Sequence, residues 1–362
     1  MLSLHRRTLV AASFAAGVAL LLPSTGSAQD ETVRLSGQTV AVYNLAGEVT
    51  LTAGSGSDVT VAVYLQGADS GQLDVRSGPV DTRRSNWDTV EALRVIYPGD
   101  RILYEGMGGQ TTLRVRDDGT FWGGRRGDRG TRKVEISDRG DGVRASANLD
   151  VRVPAGKRVL VALGAGMIEA TNVDGDLYLD TGSGGIRTAG TTGVLNLDTG
   201  SGDVVVDGAE GDINIDTGSG NVEVHSVRGP DVNVDTGSGS VMIDGVDAPE
   251  IGVDTGSGDV EVFGARTGSV SVDTGSGSVT IVTVAGSASF NVDTGSGNVT
   301  ISVPDGYAGN VNLETGSGNM RTDLPLTFLR KDDDEIQGRI GDGGSARIEI
   351  ETGSGNISLR RS

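Results

Sequence analysis

The chain has 362 residues, a formal net charge of −19 and no cysteine, which excludes disulfides, thiol catalysis and cysteine-ligated metal. Its histidines are His5 and His225 alone, too few for more than one histidine-centred triad or zinc site. The acidity is concentrated, with 25 Asp and Glu against 7 Lys and Arg over residues 145–325. Such a surface repels nucleic acid and anionic lipid and attracts cations or basic partners.

Residues 1–28 read as an export signal: His5, Arg6 and Arg7 form a basic front, Thr8 to Leu22 an apolar stretch, and Gly26-Ser27-Ala28 a cleavage site. The Arg6-Arg7 pair leaves the twin-arginine route open. No later segment is long and apolar enough to span a bilayer. The chain is therefore expected in the periplasm, outside the cell or on its envelope.

Residues 29–160 carry alternating strand patterns such as Gly47-Glu48-Val49-Thr50-Leu51-Thr52 and Asp58-Val59-Thr60-Val61-Ala62-Val63, in less regular order than residues 161–362. Residues 117–143 break the pattern with Asp117-Asp118-Gly119, Phe121-Trp122-Gly123-Gly124-Arg125-Arg126 and Gly127-Asp128-Arg129-Gly130. An Arg/Gly-rich stretch with a Trp suits RNA contact in some proteins. In an exported chain with an acidic body it reads as a solvated loop.

Residues 161–362 are organised by a repeat. Asp-Thr-Gly-Ser-Gly begins at Asp180, Asp198, Asp216, Asp235, Asp254, Asp273 and Asp293, then returns with Glu at Glu314 and Glu351. The steps are 18, 18, 19, 19, 19, 20, 21 and 37 residues, the mark of one small unit stacked many times. In the copy from Asp216, Asn221-Val222-Glu223-Val224-His225 alternates polar and apolar, a loop comes next, and Asp231-Val232-Asn233-Val234 alternates again. Each unit is thus two short strands and two turns, with Val, Ile and Leu on the inward side. One such unit cannot bury its face alone, but stacked coils share a core. The expected fold is an all-β solenoid with two short strands per coil of 18–21 residues. Antiparallel hairpins of the same period are the competing architecture, disfavoured because every turn is the same. The 37-residue step reads as one coil interrupted by a loop at residues 323–346.

These repeats, together with Leu149-Asp150-Val151-Arg152-Val153-Pro154-Ala155-Gly156 before them and Ile348-Glu349-Ile350-Glu351-Thr352-Gly353-Ser354-Gly355-Asn356-Ile357 at the end, resemble the DUF4097 group of bacterial β-strand repeat or adhesin-like proteins. The resemblance runs from about residue 38 to the end. It implies a β-solenoid on an exported or envelope protein and supplies no catalytic residues.

Strand alternation places the Asp of each motif outward. A second polar ladder lies five residues later: Asp203, Asn221, Ser240, Asp259, Ser278, Asn298, Asn319 and Asn356. Stacked carboxylates about 4.8 Å apart repel by roughly 1 kcal/mol per neighbour in water. A charge-assisted bond to a turn amide returns about 1.5–3 kcal/mol. Turn capping therefore accounts for both ladders without further function.

Sharper readings compete. Asp180, Asp198, Asp216, Asp235, Asp254, Asp273 and Asp293 are candidate ligands of a weak, cumulative calcium array. A row of Thr181, Thr199, Thr217, Thr236, Thr255, Thr274, Thr294 and Thr315 could order water or bind ice, if it faces out. A carbohydrate-active enzyme on a β-helix would need a unique carboxylate pair or base in a groove, whereas these acids recur coil after coil. The expectation is a non-catalytic envelope scaffold with no cofactor. Its acidic face would meet an envelope protein or polysaccharide.

Overall fold

A computed structural model describes residues 31–82, 87, 89–121 and 130–362. The export signal read at residues 1–28 and the Trp122–Arg129 part of the Arg/Gly-rich stretch lie outside the described residues. Two long sheets, of 14 and 15 strands, face each other, and a separate sheet of three strands lies beside them.

Each repeat supplies one strand to each long sheet. Asp231–Thr236 lies in the 15-stranded sheet, the Gly-Ser-Gly turn comes next, and Val241–Asp244 lies in the 14-stranded sheet. Successive coils pair in parallel and in register, so that Asp198, Asp216, Asp235, Asp254, Asp273 and Asp293 stand one above another. This is the solenoid and not the hairpin meander. The inward rows, among them Val222, Val224, Val232, Val234, Val241 and Ile243, are buried between the sheets. At the second corner of each coil a column of single parallel bridges joins Asp174, Thr192, Glu210, Arg228, Asp247 and Arg266.

The uniform turn has a packing cause. A Cβ added to Gly239, whose φ is +157°, would lie 1.9 Å from the carbonyl oxygen of Gly220 one coil below. At Gly237 the same test gives 2.6 Å to the carbonyl of Gly218. Both glycines are required because the stacked turns approach backbone to backbone.

Both ends of the stack depart from sequence order. The first coil, Thr39–Ala46 and Val49–Ala53, stacks directly on Lys157–Ala165 and Ile168–Thr171, far away in sequence. The last coil, Arg347–Ser354 and Ile357–Arg361, slots between the coil of Ser289–Ser296 and Val299–Val303 and that of Gly309–Thr315 and Met320–Thr322. The 37-residue step is therefore not one coil interrupted by a loop. It contains an antiparallel hairpin, Leu326–Lys331 with Glu335–Ile340, and a jump back into the stack. Antiparallel strands close the other end too: Glu31–Leu35 with Val59–Gln66, and Asp74–Asp81 with Thr89–Ile96. Such capping keeps parallel strands from presenting open, repeat-like edges, and the 14-stranded sheet's remaining parallel edge is the three-residue strand Met320–Thr322.

The segment 117–143, expected as a solvated loop, contributes a strand. Thr131–Ser137 sits in the middle of the three-stranded sheet, with Val134 and Ile136 fully buried. Its Arg132, Lys133 and Glu135 mask that alternation in the sequence.

The acidic groove of the 15-stranded sheet

The outer face of the 15-stranded sheet carries two polar columns. One is Tyr178, Asn196, Asn214, Asn233, Gly252 and Ser271; the other runs Asp180, Asp198, Asp216, Asp235, Asp254 and Asp273. Together they line a groove of about 660 Å3 across six neighbouring strands, roughly 24 Å at the usual strand spacing. The Asn column is a feature that sequence reasoning missed. Its signal is the Asn two residues ahead of three successive Asp, in Asn196-Leu197-Asp198, Asn214-Ile215-Asp216 and Asn233-Val234-Asp235.

The same columns continue under the three-stranded sheet and change character there. Asp180 aligns with Ala162 and Ala162 with Tyr43; Tyr178 aligns with Leu160 and Leu160 with Ala41. All four of these covered residues are buried, and Tyr43 meets Phe121 edge-on at 5.7 Å between ring centres. At the boundary Asp180 is 8% exposed, the one Asp of the column that is buried. Trp87 stands edge-on to Tyr178 at 4.8 Å, with the Arg158 guanidinium 5.9 Å from its ring centre. The groove thus opens where the covering sheet ends, with an aromatic pair at its head.

The two polar ladders behave differently. In the second ladder the Asp and Asn side chains cap the neighbouring coil: Asp203 Oδ1 accepts from the Asn221 amide at 2.8 Å, Asn221 Oδ1 from that of Ser240 at 3.0 Å, and Asp259 Oδ1 from that of Ser278 at 2.8 Å. The first ladder does not cap from Asp216 onward. Among the described residues, the carboxylates of Asp216, Asp235, Asp254, Asp273 and Asp293 make no hydrogen bond or ion pair. Turn capping therefore explains the second ladder and leaves the first, from Asp216 to Asp293, without a structural bond. Burial, and then the neighbouring Asp235 and Asp273 carboxylates, holds the Asp254 carboxyl above its ordinary value of 3.8.

The threonine row faces inward, so the ice-binding reading falls. Every Thr of the motif is 2% exposed or less. Thr199 Oγ1 donates to the Gly184 carbonyl of the coil below at 2.9 Å, and Thr294 does the same to Gly277 at 3.2 Å. Thr236 has no such partner for its buried hydroxyl. The seven Asp named as a calcium array stand one per coil, Asp180 buried and the other six on an open face. Among the described residues no group of three or more His, Cys, Asp or Glu is placed to hold a metal ion. His225, the one histidine besides His5, is half-buried on the 14-stranded sheet, with Nε2 3.6 Å from Glu223.

Fold and face together define a parallel repeat β-solenoid that displays a column of acids. The chain belongs to the Toastrack DUF4097 family, whose model matches residues 151–360. Comparison with curated proteins gives no match. Among solved structures, a candidate cell adhesion protein from Clostridium sporogenes is 9% identical with a TM-score of 0.23, covering 92% of this chain and 98% of its own. A candidate lipid-binding protein from Parabacteroides distasonis is 7% identical with a TM-score of 0.36, covering 92% and 95%. A candidate adhesin from Bacteroides fragilis is 11% identical with a TM-score of 0.28, covering 91% and 97%. No helix among the described residues is long and apolar enough to cross a membrane.

Proposed function

We propose that this chain is an exported, non-catalytic scaffold of the cell envelope, adhesin-like in role, and that the acidic groove is its working face. The observation that carries the reading is the unopposed acid column. At the second corner the chain alternates sign, with Glu210, Arg228, Asp247 and Arg266 in one line and Arg228 3.8 Å from Asp247. On the groove face it places acid above acid through every coil from Asp216 to Asp293.

Folding gains nothing from that arrangement, because the carboxylates of Asp216, Asp235, Asp254, Asp273 and Asp293 make no bonds and repel. A basic surface laid along the groove recovers that repulsion as attraction, and the neighbouring Asn column offers donors and acceptors. Cations gather there as a diffuse layer along the column. Nucleic acid and anionic lipid are excluded by charge.

The test uses the full chain with Asp216, Asp235, Asp254 and Asp273 changed to Asn, beside the parent. Both are labelled and incubated with isolated envelopes at physiological salt. The parent should be retained and the variant washed away; equal retention would remove the groove from the function.

A further inference from the structure

The last coil is out of order in the stack, and its place in the stack does not depend on which chain supplies it. Its strands, Arg347–Ser354 and Ile357–Arg361, pair in parallel with neighbours on both sides. Its turn, Glu351-Thr352-Gly353-Ser354-Gly355-Asn356, repeats Asp293–Asn298 on one side and Glu314–Asn319 on the other. Four of its side chains, Ile348, Ile350, Ile357 and Leu359, are 2% exposed or less. The slot is therefore a deep apolar site that must be filled.

Its polar contacts are equally specific. The Asn356 side chain donates to Asn298 Oδ1 at 2.9 Å and accepts from the Asn319 amide at 3.0 Å. The Arg361 guanidinium reaches Asp305 at 3.0 Å, and its backbone N–H donates to Asp323 Oδ1 at 3.0 Å. What joins this coil to the body is a Gly-rich tether, Gly341-Asp342-Gly343-Gly344-Ser345-Ala346, exposed over most of its length. The tether arches over the intervening strand Gly309–Thr315.

Charge favours docking from outside as well. Residues 347–362 hold three Arg against two Glu. They form a slightly basic segment on a strongly acidic protein, attracted to the body of any copy.

We propose that residues 347–361 are an exchangeable coil, which a second copy of this chain can supply to the slot between Ser289–Val303 and Gly309–Thr322. A coil supplied in trans makes every contact of the native one, because both sides of the slot are the same sequence in each copy. Reciprocal exchange gives a two-fold pair, and one-way exchange gives head-to-tail chains of solenoids. The monomer persists at low concentration because the tether presents the chain's own coil at an effective concentration on the order of millimolar. Exchange of this coil is independent of the acidic groove and does not rest on it.

Two measurements on the full chain test it. First, Asp342 to Ser345 are replaced by a protease site, the folded protein is cut there, and a labelled peptide of residues 346–362 is added. The nicked protein should release its own fragment and take up one labelled peptide per molecule, with an Ile350→Asp peptide more than about 100-fold weaker. No uptake, or equal uptake of both peptides, would overturn the proposal. Second, residues 342–345 are deleted, leaving three Cα steps to link Ile340 to Arg347. These span about 11 Å at most, too short to arch over a strand. The deleted chain should run as dimers or longer assemblies with native circular dichroism, and two differently tagged copies refolded together should co-purify. Folded monomers that do not co-purify would overturn it, and if the deletion fails to fold, the peptide measurement decides alone.

Discussion

One face of the 15-stranded sheet exists in two versions. Under the three-stranded sheet its columns are Ala41, Tyr43, Leu160 and Ala162, all buried. One coil further on, the same columns become Tyr178 and Asp180, and after that Asn and Asp on every coil to Asp235. Backbone, register and inward packing do not change across that boundary; what changes is whether anything covers the face. The apolar version shows what the sheet needs when it is to be packed on. The acidic version is therefore kept open for water or for a partner that is itself charged.

The largest expected effect should ignore the difference between the two versions, because it lies in the turns. Gly166 in the covered coil and Gly239 in the open region would each place a Cβ within 2 Å of a carbonyl oxygen below, 1.7 and 1.9 Å respectively. Changing either to Ala should cost more than about 4 kcal/mol and melt the stack well below the parent, read by circular dichroism. Gly245→Ala is the control: its nearest atom is 3.9 Å away at a φ of +66°, so only backbone strain of about 1 kcal/mol is expected. Equal losses at Gly239 and Gly245 would refute the stacking explanation.

The next substitution carries the acid column across the boundary. Ala162→Asp buries an unpaired carboxylate beneath the three-stranded sheet, and a loss of about 3–5 kcal/mol is expected in chemical denaturation. Asp235→Ala, on the open side of the same column, should stay within about 0.5 kcal/mol of the parent. Comparable losses at the two sites would erase the distinction between covered and open face.

Smaller effects test the inward neighbours of the acids. Thr199→Val removes a 2.9 Å hydrogen bond and should cost about 1 kcal/mol. Thr236→Val removes a buried hydroxyl that has no partner, so it should be neutral or stabilising by up to about 1 kcal/mol. The smallest effect belongs to Asp254. Its carboxyl is raised in the folded state, so stability falls as the pH rises from 3.8 through the raised value. Asp254→Asn should therefore gain a few tenths of a kcal/mol at neutral pH and low salt. The gain should vanish below pH 3.8, where the carboxyl is neutral in both states. A variant less stable than the parent at neutral pH would mean that Asp254 holds the fold.

Much of this was legible in the residues. The alternation of Val222 and Val224 with Glu223, and of Val232 and Val234 with Asn233, gave the inward rows, and the sameness of every turn, which the period alone could not replace, pointed to the parallel stack. Which coil lies beside which was not legible. Every coil offers the same Gly-Ser-Gly turn and the same β-branched rows, so the pattern around Glu351 fits any slot, and only the three-dimensional closure selects the one after Asp293. The three-stranded sheet was hidden for a different reason: Thr131–Ser137 spends its outward positions on charge and has two inward apolar residues, Val134 and Ile136, too few to stand out. The outward acids were read correctly in direction, but not the absence of capping bonds, since Asp203 and Asp216 look equivalent until their neighbours are in place.

The central question is whether the open acid column is there for the fold or for a partner. Thermal melting of the full chain with Asp216, Asp235, Asp254 and Asp273 all changed to Asn, measured across salt concentration, addresses this most directly. A column kept for a partner predicts a melting temperature equal to or above the parent's at low salt, with the two converging as salt screens the repulsion. A variant that melts several degrees lower at every salt concentration would contradict it, because the column would then be part of what holds the solenoid together.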